Sequence, residues 1–573
     1  MPFGAELQPG GGVRFRLWAP AARNVDLVLE KKSCEMKRSA DGWYEHFSSD
    51  AAAGTLYRYR IDGEQLVPDP ASRFQPQDVD GPSEVIDGLS FRWNDDAWQG
   101  RDWREAVIYE LHVGTFTPAG TYKAVIEKLD HLKNVGVTAI ELMPLSDFPG
   151  KRNWGYDGVL PFAPDGAYGR PEELKALVQA AHAAGLMVLL DVVYNHFGPK
   201  GNFLHLYAPQ FFDERHRTPW GAAINFESRP VRDYFVHNAL YWLEEYRFDG
   251  LRFDAVHAIV DESPEHVLEE ISSRVRNSFS TPKHLILEND ANQARFLGPD
   301  KYTAQWNDDS HHAYHVLATG ERDGYYVAYA DNPAEHLARC LAEGFAYQGE
   351  VSPFTDEPRG EPSRHLPPLA FIDFLQNHDQ VGNRAFGERL NSLTEEKKLD
   401  VLTAILLLAP SPPMLFMGEE WGCRQPFLFF CDFEGELGEA VRKGRRAEFS
   451  RFASFRKEIP DPLAEDTFRR STLRWEDADA RVLELHRQLL QVRRKEINRI
   501  EAGPGRYEML AERVFSVLWP LAEGKDAGGV LRLLANCADH AFDLPLPPRG
   551  RLLWGPEHGR RMIPWSASWW IEQ

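Results

Sequence analysis

The sequence predicts an α/β protein built on a (β/α)8 TIM-type barrel, with a β-sandwich domain before the barrel and an antiparallel β domain after it. Three observations predict this architecture. The chain has 573 residues, more than one hydrophobic core usually organises, so two or three domains are expected. From about residue 105 to 500, strand-like and helix-like runs alternate, which is typical of a parallel sheet covered by helices. Short strand-like runs separated by turn residues occupy both ends of the chain.

Residues 1–100 are predicted to form the N-terminal β-sandwich. The strand-like runs here alternate apolar and polar residues in part, and Gly, Pro, Asn and Asp turn signals separate them. The runs are VRFRLWAP, NVDLVLE, GWYEHFS and TLYRYRIDG. Strands of this length at short spacing are typical of a small sandwich.

Residues 101–500 are predicted to form the barrel, and residues 501–573 the C-terminal β domain. The eight predicted barrel strands are AVIYELHVG, TAIELMPL, MVLLDVVY, GLRFDAV, HLILEN, YTAQWND, LAFIDFLQN and PMLFMGEE. Intervening stretches such as TYKAVIEKLDHLKNVG and PEELKALVQAAHAAG carry apolar residues at three- and four-residue steps and end in Gly, which predicts helices. The tail returns to short strands, RVFSVLWP and GVLRLLANC.

The formal net charge of −21 argues against nucleic acid or an anionic membrane as a partner. A neutral substrate fits this balance, although acidic residues that only keep the surface soluble fit it equally well. The five cysteines are widely spaced and include no C-x-x-C pair, which disfavours a disulfide framework and a zinc site. That usage fits a reducing compartment.

The sequence carries no signal for export or membrane insertion. Its N-terminus, MPFGAELQPGGG, lacks a basic segment followed by an apolar one. The longest apolar stretch, around 402–418, is interrupted by Pro410, Pro412 and Pro413, so it is interpreted as a buried helix followed by a strand. We therefore expect a cytoplasmic protein.

Four of the predicted strands end in an acid. The segments are DVVYNH from Asp191, GLRFDAVH around Asp254, LILEND around Glu288 and FLQNHDQ around Asp379. Because a barrel enzyme keeps its active site at the C-terminal ends of the strands, these acids are expected to meet. Three carboxylates, Asp254, Glu288 and Asp379, indicate glycoside chemistry, which needs one acid to protonate the leaving oxygen and another to meet the cation-like carbon.

The spacing of the acids and their neighbours predicts different protonation states. Arg252 lies two positions before Asp254 on a strand, so both side chains point to one face, and the guanidinium favours an ionised Asp254 suited to nucleophilic attack. An isolated R-x-D is more often a structural ion pair. Glu288 has no cation beside it in the sequence, so burial and nearby carboxylates are expected to raise its pKa and keep it protonated as a general acid. Asp379 is expected to bind sugar hydroxyls.

Three histidines and one tyrosine are candidate sugar contacts. His196, His257 and His378 follow strand-like runs, and this shared placement favours hydroxyl recognition, although a single buried histidine is usually structural. None has metal-ligand spacing such as H-E-x-x-H. Tyr156 in NWGYDG lies in a Gly-rich loop after the second strand, and it is the aromatic residue best placed to stack on a sugar.

The four acid-ended segments resemble the four sequence regions of the α-amylase family of glycoside hydrolases, and the resemblance spans nearly the whole chain. It implies that Asp254 is the nucleophile, Glu288 the general acid/base and Asp379 the transition-state stabiliser. It also implies that Arg252, His196 and His378 help to bind the reacting glucose, with Tyr156 beneath it. The predicted substrate-binding residues are Tyr156, Asp191, His196, Arg252, His257 and His378.

Within that family the sequence is most similar to members that release trehalose from maltooligosyltrehalose. The similar stretches are YELHVGTFTPAGTY, MPLSDFPGKRNWGYDGVLPFAPDGAYG, DVVYNHFGPKGNFL, LQNHDQVGNRAFGERL and PFLFFCDFEGELGEAVRKGRRAEF. The implied reaction is retaining, with the catalytic carboxyls about 5–5.5 Å apart, and maltooligosyltrehalose and related α-1,4-glucans are the implied ligands. The acceptor-side selectors are expected in the loop before Asp379 and in the stretches 382–390 and 421–432.

Two other functions remain open from the sequence. A glucan branching enzyme would share every catalytic residue. A non-catalytic glucan-binding protein is disfavoured because the three acids are all present. Calcium is often used in the family through the Asn of the first region, which Asn195 matches, but no acidic loop resembles a dedicated calcium site. We therefore expect no metal and no cofactor.

Overall fold

The computed structural model describes residues 2–30, 32–450, 459–522, 528–557 and 559–573. Within these residues the predicted architecture is confirmed. A closed barrel of eight strands lies between an N-terminal pair of antiparallel sheets and a C-terminal antiparallel sheet. In the part of the chain that is described, no helix is both long and apolar enough to cross a membrane.

The N-terminal domain is a sandwich of two sheets. One sheet has the strand order Gly4–Leu7, Val13–Trp18, Trp43–Ser48 and Lys37–Arg38. The other has the order Lys32–Glu35, Val25–Leu29, Leu56–Ile61 and Gln65–Val67, with Ser83–Glu84 beside Leu56–Ile61. Alternate residues of the central strands are buried, and the rings of Phe15 and Tyr57 meet between the sheets at 4.9 Å. These runs alternate apolar and polar residues because only one face of each strand points into the core between the sheets.

The barrel strands are parallel and close through a pairing of the last strand with the first. In chain order they are β1 Ile108–Leu111, β2 Ala139–Leu142, β3 Met187–Val192, β4 Gly250–Phe253, β5 His284–Leu287, β6 Ala304–Trp306, β7 Phe371–Phe374 and β8 Pro413–Phe416. Every residue of these strands is buried, because helices cover the outside and side chains fill the inside. That is why the strands are continuous apolar runs in the sequence.

Helices cover the barrel and carry its insertions. The α-helices of the described residues are Val113–Phe116, Tyr122–Ile126, Leu129–Val135, Pro171–Ala184, Leu204–Tyr207, Arg229–Glu245, Val267–Ser278, Asp308–Thr319, Pro333–Glu343, His378–Gly382, Glu396–Leu408, Gly435–Ser450, Glu465–Ser471 and Ala480–Lys495. Gly136 (φ 115°) and Gly185 (φ 82°) end two of them in the left-handed conformation, as the sequence predicted.

One predicted helix is divided. The stretch TYKAVIEKLDHLKNVG forms two helices, Tyr122–Ile126 and Leu129–Val135. Between them the Lys128 N–H donates to the Val125 carbonyl at 2.9 Å, a tighter i to i−3 bond that ends the first helix. The apolar periodicity continues across this break, so the sequence pattern did not reveal it.

Short hairpins extend the loops between barrel strands. Ser146–Asp147 pairs with Leu160–Pro164 before β3, and Phe212–Thr218 pairs with Gly221–Ile224 before β4. A third pair, Val351–Ser352 with Glu357–Pro358, precedes β7. These insertions belong to loops that follow the C-terminal ends of the strands, where a barrel places its site.

The C-terminal domain is a five-stranded antiparallel sheet against the barrel. Its strand order is Arg506–Ala511, Val514–Pro520, Val530–Asn536, Ser566–Glu572 and Arg551–Trp554, and a two-stranded piece joins Phe542–Asp543 to Arg561–Met562. Trp519 stacks on Trp569 at 5.6 Å and donates from its indole N–H to the Leu341 carbonyl of a barrel helix at 3.0 Å. The exact domain boundaries, near residues 100 and 500, stay a prediction.

Candidate active site

The structure brings the four predicted acids to one end of the barrel. Asp191 is the second-to-last residue of β3, Asp254 follows β4, and Glu288 follows β5. Asp379 lies in the short helix after β7. Each sits at the C-terminal end of its strand because the apolar part of each run fills the barrel. The sequence inference that these segments share one site is therefore matched by their positions.

Arg252 of β4 lies at the centre of this cluster. Its guanidinium is fully buried and donates to Asp191 at 2.6 Å and to Asp254 at 3.0 Å. A second guanidinium nitrogen forms an ion pair with Glu288 at 2.8 Å without hydrogen-bond alignment. The guanidinium also lies over the Trp306 ring, 4.0 Å from its centre. The Arg252 cation thus interacts with three carboxyls, and two of them, Asp254 and Glu288, lie side by side.

The directions of the pKa shifts predicted for Asp254 and Glu288 are wrong. Burial and the Glu288 charge raise the pKa of Asp254 well above its usual range, and Arg252 offsets them only in part. Burial also acts to raise the pKa of Glu288, but the Arg252 charge and the Ala255 N–H, which donates at 2.7 Å, together lower it. The two shifts have opposite directions because Arg252 interacts with both carboxyls and the backbone N–H favours the ionised form of Glu288 alone.

Asp379 lies in the first turn of its helix, and its partly exposed carboxyl lines a cavity. Its side chain remains 36% exposed, and Asn383 donates to it at 3.1 Å. Its pKa is raised by its enclosed position and by Glu288, while His378 opposes the shift. The His378 Nε2 lies 3.6 Å from the Asp379 carboxyl.

Tyr156 and His378 form one wall of the site. The Tyr156 ring stacks on His378 with centres 5.0 Å apart, and its hydroxyl donates to Asp191 at 2.6 Å. Burial raises the pKa of Asp191, and Arg252 and Tyr156 limit the rise to about 6. The predicted stacking residue therefore also stabilises a buried carboxylate.

His196 and His257 occupy different environments. Burial lowers the pKa of His196 to about 4, so its ring is neutral near pH 7. Its Nε2 lies 3.0 Å from the Tyr156 carbonyl, and its ring stacks on Trp220 at 4.6 Å. His257 is exposed and accepts the Asp290 N–H at 3.3 Å. It lies on the rim, outside the buried cluster.

Two further acids of the site were missed by the sequence reasoning. Glu110 of β1 accepts from the ring Nδ1 and from the backbone N–H of His378, at 2.5 and 3.0 Å. Asp308 follows β6, and Gln380 donates to it at 3.3 Å; burial and nearby acids raise the pKa of Asp308 well above its usual range. Glu110 interrupts the predicted strand AVIYELHVG, and Asp308 ends the predicted strand YTAQWND. An acid at either position was a signal that could have identified these residues.

A cavity of about 240 Å³ opens beside Glu288 and Asp379. Its other lining residues include Asp290, Asp308, His312, Tyr325, Tyr329 and Arg359. Neither Tyr156 nor His196 lines it. A larger cavity of about 610 Å³ lies between the helices Glu396–Leu408 and Ala480–Lys495. It includes none of the predicted catalytic or substrate-binding residues, but residues 422–425 of the predicted selector stretch 421–432 line it.

The residues around Asn195 do not fit a calcium site. The side-chain oxygen of Asn195 lies 3.0 Å from the His196 Nδ1, in a hydrogen bond. Among the described residues, no group of three or more His, Cys, Asp or Glu side chains is arranged to hold a metal ion. Calcium usually takes six to eight oxygen ligands, several from carboxylates. The chemistry derived below therefore uses only side chains.

The arrangement is suited to acid–base and nucleophilic chemistry on one bond. Asp254 and Glu288 follow neighbouring strands and share the Arg252 cation, and Asp379 lines the same cavity as Glu288. A proton donor, a nucleophile and a further carboxyl are the three parts that a retaining glycosidase requires.

Two family models match the chain. "Alpha amylase, catalytic domain" matches residues 71–216, and "Carbohydrate-binding module 48 (Isoamylase N-terminal domain)" matches residues 2–75. Both matches agree with the barrel and the sandwich.

Curated relatives match most of the chain. A malto-oligosyltrehalose trehalohydrolase of Deinococcus radiodurans is 44% identical over 506 residues, which cover 86% of this chain and 83% of the relative. One of Saccharolobus solfataricus is 42% identical over 505 residues, covering 86% and 87%. A 1,4-alpha-glucan branching enzyme of Rubrobacter xylanophilus is 36% identical, but over 44% of this chain.

Solved structures share the fold over the whole length. A Salmonella typhimurium protein provisionally assigned as an alpha amylase is 46% identical, with a TM-score of 0.96 over 100% of this chain and 99% of the other. A pullulanase of Paenibacillus barengoltzii, in complex with maltotetraose, is 21% identical with a TM-score of 0.73 over 100% and 95%. The second likeness shows the fold alone.

Proposed function

Because the chain belongs to the malto-oligosyltrehalose trehalohydrolases of the α-amylase family, we propose that it cleaves the α-1,4 bond between a maltooligosaccharide and a terminal trehalose unit. The products are free trehalose and a shortened glucan, so the enzyme serves trehalose synthesis. One observation carries the proposal: Asp254 and Glu288 lie on one guanidinium beside a cavity that Asp379 also lines.

The proposed mechanism is retaining double displacement. Glu288 protonates the leaving glycosidic oxygen while Asp254 attacks the anomeric carbon and forms a glycosyl-enzyme intermediate. Glu288 then takes a proton from water, which hydrolyses the intermediate and restores Asp254. Asp379 stabilises the positive charge that develops on the sugar.

The first catalytic step needs a neutral Glu288 and an ionised Asp254. The contacts within the protein act the other way: burial and the Glu288 charge raise the pKa of Asp254, whereas Arg252 and the Ala255 N–H outweigh burial and lower the pKa of Glu288. A glycosidic oxygen placed beside Glu288 accepts a hydrogen bond from the neutral acid only, and such a bond favours the protonated form. Substrate in this position therefore favours the protonation states that the first step needs.

The glucose before the cleaved bond is proposed to lie against Tyr156. Its ring would stack on Tyr156 while Arg252, His196 and His378 contact its hydroxyls and Asp191 fixes Tyr156 and Arg252. His257, on the rim, would contact substrate that extends past the buried cluster.

The trehalose unit is proposed to occupy the cavity of about 240 Å³ on the Glu288 side. Trehalose joins two glucoses through their anomeric carbons and has no reducing end, so selecting it needs polar groups for the second ring. Gln380 and Asn383, around Asp379, line the cavity, as do Asp308 and Arg359. The loop before Asp379 and the stretch 421–432 contribute no lining residue there, so the selectors are proposed to be Gln380, the segment 382–390 and the β6–β7 loop.

Product chromatography tests the proposal. Incubation with maltooligosyltrehalose should release free trehalose, and kcat/KM should be much lower on a maltooligosaccharide of equal length, because buried polar groups left unpaired by the wrong acceptor penalise it by orders of magnitude. Glu288→Gln serves as the matched inactive control. Equal rates on both substrates, or new α-1,6 linkages in place of trehalose, would instead favour the branching enzyme.

We also propose the remaining features of the enzyme's setting. The domains are 1–100, 101–500 and 501–573, with the first binding glucan. The compartment is the cytoplasm, which the five free cysteines support. No metal, cofactor, nucleic acid or membrane takes part.

A further inference from the structure

Glu110 is a buried acid outside the set of residues that the proposed function uses. It lies on β1 with its side chain inside the barrel and is 1% exposed. Its neighbour Tyr109 points the other way and donates to Glu420. A carboxyl inside a barrel core is costly unless charged partners compensate it, so its position calls for a reason.

The partner of Glu110 is His378, which the carboxylate contacts both at the ring and at the backbone. One carboxylate oxygen lies 2.5 Å from the ring Nδ1 and the other accepts the backbone N–H at 3.0 Å. The ring is packed between Tyr156, stacked at 5.0 Å, and Trp154, edge-on at 5.5 Å. With Nδ1 bound to Glu110, the opposite nitrogen Nε2 faces Asp379 at 3.6 Å.

We propose that Glu110 is a positioning residue for the hydrolytic reaction: its carboxylate fixes both the backbone and the ring of His378, and its charge keeps that ring cationic so that Asp379 stays ionised. The inference rests on the proposed function, because it gives Asp379 the task of stabilising positive charge. Glu110, His378 and Asp379 then form a row of alternating charges.

The other charged groups around His378 do not replace Glu110. The groups that face it are Glu110 from β1, His112 after β1, Glu141 from β2, Asp191 from β3, Arg252 from β4, Glu288 after β5 and its chain neighbour Asp379. Burial acts to lower the pKa of His378, and Glu110, with Asp379, raises it to about 9. Arg252 opposes them, and Glu141 makes no hydrogen bond.

Glu141 offers a matched control. It pairs in register with Glu110 on the neighbouring strand, and both its carboxyl oxygens are buried without a partner. Burial and the charges of Glu110 and Asp191 raise the pKa of Glu141 well above its usual range, which favours its neutral form. Glu141→Gln therefore makes the same substitution in the same layer without removing a hydrogen bond to His378.

The test is titration of the His378 ring by nitrogen-15 NMR, with the signal assigned by a His378 variant. The wild-type midpoint should lie near pH 9. Glu110→Gln should lower it by about one to two pH units, the equivalent of one charge-assisted hydrogen bond, while Glu141→Gln should leave it unchanged. An unchanged midpoint in Glu110→Gln would overturn the proposal.

Kinetics give the second readout. Glu110→Gln should lower kcat by about 10- to 100-fold with little change in KM, because the interaction matters where charge develops. Glu110→Asp, which keeps the charge, should recover most of the loss and guards against a folding defect of the first variant. Wild-type kcat in a folded Glu110→Gln would refute the role. The titration needs no substrate, so a shifted midpoint in a protein that releases no trehalose would refute the proposed function alone.

Discussion

Tyr156→Phe separates the two tasks that the structure gives Tyr156. The substitution keeps the ring, which stacks on His378 at 5.0 Å, and removes the hydroxyl that donates to Asp191 at 2.6 Å. Asp191 is 2% exposed and receives one other hydrogen bond, from Arg252 to the same oxygen. Its second oxygen is buried and unpaired. Losing the hydroxyl therefore removes half of the hydrogen bonds of this carboxylate.

The size of the effect depends on the charge of Asp191. A hydrogen bond to an ionised group contributes about 1.5–3 kcal/mol, and one between neutral groups about 1 kcal/mol. With its carboxyl ionised, the variant should lose about 2 kcal/mol of stability. With the carboxyl protonated, the loss should be about half as large, and the difference of about 1 kcal/mol corresponds to a rise of about 0.7 units in the pKa of Asp191.

The direction of the pH dependence follows from linkage. The pKa of Asp191 in the folded protein is already raised to about 6 from 3.8, so ionisation of Asp191 opposes folding as pH rises through this range. In Tyr156→Phe the pKa of Asp191 in the folded protein is higher still, so ionisation of Asp191 continues to destabilise the fold at higher pH. The deficit of the variant should therefore grow between about pH 6 and pH 8 and be smallest near pH 5.

Urea unfolding at pH 5 and pH 8.5 measures this deficit directly. Tyr194→Phe is the matched control, because the buried Tyr194 hydroxyl donates at 2.6 Å to Asn238, a neutral acceptor. Its deficit should be about 1 kcal/mol at both pH values. A Tyr156→Phe deficit as constant with pH as that of Tyr194→Phe would refute the charged-acceptor reasoning. In the same variant KM should change little, because the stacking face remains.

Other outcomes follow from the carboxyl pair and from the residues around Asn195. Asp254→Ala and Glu288→Gln should each lower kcat by about a thousandfold or more with an unchanged circular dichroism spectrum, since neither carboxyl supplies the other's step; near-wild-type rates in either would contradict the assignment. Glu288→Gln should lose much less on an activated aryl glycoside, which departs without a proton, so an equal loss on both substrates would argue against a general acid. Dialysis against a chelator should leave activity and Tm unchanged; a loss that calcium restores would show a metal requirement.

The barrel was predictable because its strands are buried on both faces. Such strands are continuous apolar runs in the sequence, and even the three-residue strand Ala304–Trp306 was found within YTAQWND. The acids at the strand ends were conspicuous for the same reason, as polar residues that end apolar runs. Glycines at helix ends were equally informative, because Gly136 and Gly185 adopt positive φ.

Residues whose task depends on a distant partner were not predictable. Glu110 is one polar residue in a strand, and its meaning comes from His378, 268 positions later in the chain. His257 shares its strand-end position with His196 and His378, yet the backbone after β4 carries it to the exposed rim. Sequence position shows which end of a strand a residue occupies. It does not show which way the following loop turns.

The reversed pKa shifts of the catalytic pair have the same origin. From sequence, Arg252 is adjacent to Asp254 only. In the fold its guanidinium also forms an ion pair with Glu288, and the Ala255 N–H donates to that acid. Both contacts favour the ionised form of Glu288. A glycosidic oxygen beside Glu288 favours the neutral form instead because it needs a hydrogen-bond donor, so the first catalytic step depends on a contact that only the substrate supplies.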